Sequence, residues 1–256
     1  MTEDSTREAV GADGRRTVRG VTLGNAAPAD YSAADVGPVQ DAEIDDLVAQ
    51  LDAEAAPTRR RALLELARRE PDPAVVDRVA GLALEDPDEQ VRQFAVEALG
   101  KLDGDPAVAV ELLDADPNQW VRAEAVVTLD RLAREQHESR FLDLLDDDAE
   151  AVRRNALIAL VKLRGAGAKA HLLDAVEDPS DRVREWAVKL LGQYEDDPTV
   201  TAALESVLDD DGETSVVKET AARALGARGA DLDELLEDDS GTASADDHML
   251  NRVPDR

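Results

Sequence analysis

His137, followed directly by Glu138, and His171 are two of the chain's three histidines, side chains that could bind a metal or pass a proton near neutrality. A metal centre built from His-Glu pairs needs several of them, and His171 is followed by Leu172 instead. The chain has no cysteine, which removes disulfides, zinc-thiolate sites and thiol nucleophiles. No glycine-rich phosphate loop occurs. Carboxylates are abundant, with 58 Asp and Glu, but they fall in turns where they serve as helix caps. These residues predict no catalytic set, no cofactor site and no metal site. His137 and His171 are expected at helix starts on the surface.

A basic residue recurs with a fixed rhythm: Arg59, Arg92, Arg122, Arg153, Arg184 and Lys218, at intervals of 33, 30, 31, 31 and 34 residues. Four of them follow an aspartate by six positions, namely Asp86, Asp116, Asp147 and Asp178. On a helical wheel Arg92 falls beside Val96 and Leu99, within the apolar arc. A half-buried guanidinium needs an acceptor. The turn aspartate of the same or the adjacent repeat supplies one, so the column predicts a structural Asp–Arg ladder, the other reading being an anion-binding stripe.

The elements that would carry this column are helices. Alanine stands at 62, 95, 125, 156, 187 and 221, and leucine at 66, 99, 129, 160, 191 and 225, in register with the basic column. In the copy DPDEQVRQFAVEALGKL, from residue 86, Val91, Ala95, Ala98, Leu99 and Leu102 form one stripe of a 3.6-residue period. Asp86 is read as its N-cap, with Pro87 at the first helical position, and Gly100, Gly192 and Gly226 as helix-terminating residues. A second apolar segment precedes each copy: Ile44–Leu51, Val75–Leu84, Val108–Leu113, Phe141–Leu145, Leu172–Val176 and Val200–Leu208. One helix pair cannot bury its stripe alone, and stacking creates a continuous core, with alanine where helices approach most closely. The sequence therefore predicts an all-α, right-handed α-solenoid of about six helix–turn–helix repeats over residues 41–237. Leu232, Leu235 and Leu236 would cap it. Residues 1–40 and 238–256 lack periodicity and read as a disordered arm and an acidic tail.

The repeat D-P-x-x-x-V-R-x-x-A-x-x-A-L-G-x-L, from about 44 to 237, resembles the HEAT-like repeat of the phycobilisome lyase group. That resemblance implies the fold, and a repeat used in chromophore lyases, assembly factors, scaffolds and adaptors. Two enzyme families resemble it too. Deoxyhypusine hydroxylases hold two irons with several His-Glu pairs, where this chain has His137-Glu138. HEAT-like DNA glycosylases use a basic groove, which the charge here opposes.

That charge is −29, from 29 basic residues, five of them Lys, against 58 acidic ones. Such a surface fits a salt-saturated cytoplasm, where screening shortens repulsion to about 3 Å at 1 M salt. It predicts an extreme halophile's cytosolic protein with no affinity for nucleic acid. No run of 18 apolar residues exists, which predicts no membrane span. Polar residues break up the stretch after Arg15-Arg16, so the pair does not read as an export signal. Val127, Ile158 and Val161 are apolar on wheel positions facing away from the core, with Trp120 nearby. They are the candidate contact surface for another protein. Trp186, nearer the core edge, reads as structural. The predicted function is a non-catalytic adaptor, scaffold or assembly factor. The alternative is an accessory or lyase-like factor for cofactor insertion.

Overall fold

The computed structural model describes residues 43–70, 72–194 and 196–226. The expected arm, the acidic tail, Arg15-Arg16 and Leu232, Leu235 and Leu236 lie outside these residues. Among the described residues there are twelve α-helices, three short 3-10 turns and no strand. The helices form six successive pairs: α1 (Ile44–Gln50) with α2 (Ala56–Leu66), α3 (Pro73–Glu85) with α4 (Glu89–Lys101), and α5 (Pro106–Ala115) with α6 (Gln119–Ala133). The other three are α7 (Glu138–Asp143) with α8 (Glu150–Arg164), α9 (Lys169–Ala175) with α10 (Asp181–Leu191), and α11 (Pro198–Asp209) with α12 (Ser215–Gly226). The first helix of a pair is called A and the second B. Each inner B helix packs on its own A helix and on the B helices before and after it, as α6 does on α5, α4 and α8. This is an α-solenoid.

Three-sided packing explains the sequence columns. All six alanines of the alanine column are wholly buried, as are the leucines at 66, 99, 129, 160 and 191. Burying one such leucine contributes about 1.5–3 kcal/mol. Packing also buries more than one stripe: α4 is buried continuously from Gln93 to Gly100. Gly100 does not end its helix, which runs on to Lys101. A Cβ there would stand 3.1 Å from Thr128 Oγ1 of α6, so glycine lets two B helices meet closely. Thr128 Oγ1 in turn donates to Val96 O across the same seam at 2.9 Å.

The caps differ from the sequence reading. Asp86 and Asp116 end helices α3 and α5, and the B helices start two residues later on Asp88 and Asn118, whose side chains accept Val91 N–H and Trp120 N–H. The Asp-Pro device caps A helices instead: Asp72, Asp105 and Asp197 accept first-turn N–H groups, with Pro73, Pro106 and Pro198 following. In the B-helix turns, Asp86 Oδ1 accepts Asp88 N–H at 2.9 Å, which folds the turn and leaves the carboxylate aimed at the preceding repeat.

Candidate functional site

The basic column sits over the inter-repeat turns. Arg59 Nε and Nη2 donate to the two carboxylate oxygens of Asp86, both at 2.8 Å. Arg92 does the same to Asp116 (2.7 and 3.1 Å), and Arg153 to Asp178 (2.9 and 2.7 Å). In each case Nη1 donates to a carbonyl of the turn before its own helix: Ala53, Asp86 and Asp147, respectively. Each arginine therefore ties its own turn to the next one. The carboxylate hydrogen bond raises the pKa of Arg59, Arg92 and Arg153 above the ordinary guanidinium value, against the opposing effect of burial. Arg122 is the loosest rung, with a single 3.4 Å contact from Nη2 to Asp147 Oδ1. The pairing of Asp178 with Arg184 goes only through its carbonyl, at 2.8 Å. The carboxylate facing Arg184 is Glu213 (2.7 and 2.8 Å), which sequence spacing did not single out. The turn before α12 is two residues longer, Lys218 standing eight positions after Asp210, and the extra length brings Glu213 rather than Asp210 to the guanidinium. Arg184 in turn holds the Glu213 carboxyl below its ordinary pKa. Lys218, the last member of the column, stands on α12.

A second set of ions lines the B helices on the side away from their A partners. Lys101 Nζ donates to Glu97 at 2.8 Å, Arg69 Nε to Glu65 at 2.8 Å, Arg134 to Asp130, and Lys162 from the next helix to Asp130 at 3.1 Å. The arrangement is layered. The side chains of Glu65, Glu97 and Asp130 are 7–8 % exposed, while their cations are 28–34 % exposed. Val127 of α6 and Val216 of α12 are the exposed large apolar residues among the described ones, both on B helices. Arg131, one turn after Val127, is also exposed.

The four residues expected to form one surface patch separate. Val127 is exposed, at 40 %. Trp120 and Ile158 are half-buried, packed against the two buried apolar clusters of the array. Val161 is fully buried in the cluster that also holds Leu157, Trp186 and Ala187, which corrects its placement at the surface. The column of Gly100, Asp130, Val161 and Gly192 is the seam between successive B helices, and burial there follows from their close stacking. Trp186 is 7 % exposed, with Lys189 Nζ 4.7 Å above its ring.

A model of HEAT repeats matches the chain over residues 44–115, 106–192, 140–226 and 170–243. The chain belongs to the HEAT-repeat family. The chain is also similar to two solved structures. One is the complex of CpcE and CpcF of phycocyanin lyase from Nostoc sp. PCC7120: TM-score 0.43, 20% identity, 71% of this chain and 74% of that one covered. The other is human deoxyhypusine hydroxylase in complex with glycerol: TM-score 0.32, 22% identity, 82% of this chain and 80% of that one covered. No curated protein matches.

In this HEAT array His137 stands at the N-cap of α7 and His171 in the first turn of α9, both half-buried rather than on the open surface. His171 Nε2 lies 2.9 Å from Arg164 Nη1. Among the described residues no three His, Asp or Glu side chains gather to hold a metal ion, and no helix is long and apolar enough to cross a membrane. An open cleft of about 440 Å³ lies between α9 and α11, walled by Leu173, Val176 and Val207, with the Arg184–Glu213 pair along it. Those two ions already satisfy one another.

Proposed function

We propose that this HEAT-repeat protein is a non-catalytic adaptor or assembly factor that binds a partner protein on the B-helix face around Val127. One observation supports this reading above the others. Val127 is an apolar side chain left 40 % exposed on a helix that is otherwise buried over most of its length, two turns after the half-buried Trp120. An apolar centre rimmed by charge is the anatomy of a protein contact. The rungs of Arg92 and Arg153 tie the repeats of Val127 and Ile158 to their outer neighbours, while the longer Arg122 contact joins the two to each other. The net charge of −29 supports a working place in a salt-rich cytoplasm.

The test is affinity capture from native extract at molar KCl with the full chain as bait. Wild type should retain a partner in fixed stoichiometry. Val127→Asp should lose it with an unchanged circular dichroism spectrum, and Glu111→Lys, on the exposed side of α5, should keep it. Equal capture by wild type and Val127→Asp would remove this face from consideration. A partner that arrives carrying a cofactor would move the reading to an accessory of cofactor insertion.

A further inference from the structure

On the B-helix face the outermost charges are cations, although the molecule is acidic. The chain carries twice as many acidic as basic residues. On this face the acids lie underneath and the bases on top: Glu65, Glu97 and Asp130 are covered by Arg69, Lys101, Arg134 and Lys162. Arg131 on α6 and Arg68, just past the end of α2, add exposed guanidinium groups. Lys101, Arg131 and Lys162 occupy corresponding positions on α4, α6 and α8, one position per repeat, and Val127 and Ile158 lie one turn before the latter two. Packed helices stand about 8–10 Å apart, and an extended chain advances about 3.3 Å per residue. A strand crossing the three helices would therefore meet a cation about every third residue, with an apolar position beside it on α6 and α8.

We infer that the segment docking on this face is an acidic peptide of a partner protein, carrying Asp or Glu at roughly every third position with apolar residues between. The inference rests on the adaptor reading above and adds the chemistry of what is bound. Charge complementarity selects this occupant. A basic segment would meet Lys101, Arg131 and Lys162 head-on, whereas an acidic one finds here cations standing outermost on a chain of net charge −29. The peptide is preferred to a nucleic acid because the cations flank exposed and half-buried aliphatic side chains, Val127 and Ile158, rather than exposed aromatic rings on which bases could stack.

Fluorescence anisotropy with the full chain in 1 M KCl tests this with three labelled probes. They are a 15-residue peptide with Asp or Glu at every third position and apolar residues between, its Asn and Gln counterpart, and a 15-nucleotide oligothymidylate. The acidic peptide should bind at least tenfold more tightly than the neutral one. Arg131→Glu with Lys162→Glu should weaken it at least tenfold while circular dichroism stays unchanged. Lys162→Gln alone, a milder change should the double variant unfold, should weaken it several-fold. A neutral peptide binding as tightly as the acidic one, and still lost in Val127→Asp, would overturn the acidic partner while leaving the adaptor reading standing. Oligothymidylate binding as tightly as the acidic peptide, with the same loss on charge reversal, would overturn the peptide in favour of a nucleic acid. Binding of none of the three would overturn the inference, and the capture experiment would then decide the adaptor reading separately.

Discussion

At the residue scale the rungs are not equivalent, and their geometry ranks them. Arg92 makes two bonds to Asp116 and one to the Asp86 carbonyl, and the side chains of the pair are 12 % and 3 % exposed. Arg92→Ala leaves a buried carboxylate uncompensated and should cost about 3 kcal/mol. Arg122 reaches Asp147 by one long contact at a wetter site, so Arg122→Ala should cost about 1 kcal/mol. Urea melts of the two variants check the order; equal losses would mean that the turn carbonyls, not the carboxylates, carry the rungs. Glu213 sets an acid limit. Arg184 depresses its pKa, so the pair stabilises the fold fully above the ordinary Glu range and loses that contribution as pH falls through the depressed value. Asp197 is lowered in the same direction, first by Lys169. Below about pH 4 the end of the array holding α11 and α12 should loosen first, and Glu213→Gln should flatten that limb of a pH titration followed by circular dichroism. An unchanged limb would assign the acid sensitivity to other carboxylates.

At the element scale, spacing revealed which residues line the A–B core and missed what depends on the neighbouring repeat. The alanine and leucine columns are legible because a helix facing its own partner repeats every turn, and the chain keeps that pattern in all six copies. Val161 was not legible as buried, because what covers it is the next B helix, whose distance no single-helix wheel contains. Glu213 escaped because two inserted residues shift the register of the acceptor. The caps were misplaced by two residues because Asp-Pro serves two purposes here, an N-cap before A helices and a folded turn before B helices. The same comparison exposes a soft stretch. Helices α7 and α9 have 6 and 7 residues against 13 for α3, and neither has a side-chain N-cap. The 3-10 turn Gly165–Ala168 precedes α9, and Gly165 at φ 52 uses a conformation that costs other residues strain. The two buried clusters also meet on α8, with Leu160 in one and Leu157 in the other. Short helices with few caps open at low cost. Hydrogen exchange should therefore show less protection in α7 and α9 than in α3 and α5. Equal protection would place the weak point of the array elsewhere.

At the scale of the whole molecule, two electrostatic effects act over different distances and salt separates them. The rungs are short and largely enclosed: the Asp86, Asp116 and Asp178 side chains are 2, 3 and 10 % exposed, so mobile ions screen them little. The excess of 29 negative charges acts through solvent across tens of ångströms. Its repulsion opposes the stacked state, because separating the repeats relieves it. At 0.05 M KCl the screening length exceeds about 10 Å, the spacing of neighbouring helices, so whole repeats repel one another; at 1 M it is about 3 Å and repulsion is confined to adjacent side chains. The melting temperature should accordingly climb between 0.05 and 1 M KCl and then level off, since above 1 M little repulsion remains to screen. The ratio of stability lost in Arg92→Ala should stay nearly constant over the same range, because that rung lies beneath the surface. A melting temperature independent of KCl would show that the acidic surface places no load on the fold. A rise that vanished in Arg92→Ala would show instead that salt acts through the rungs.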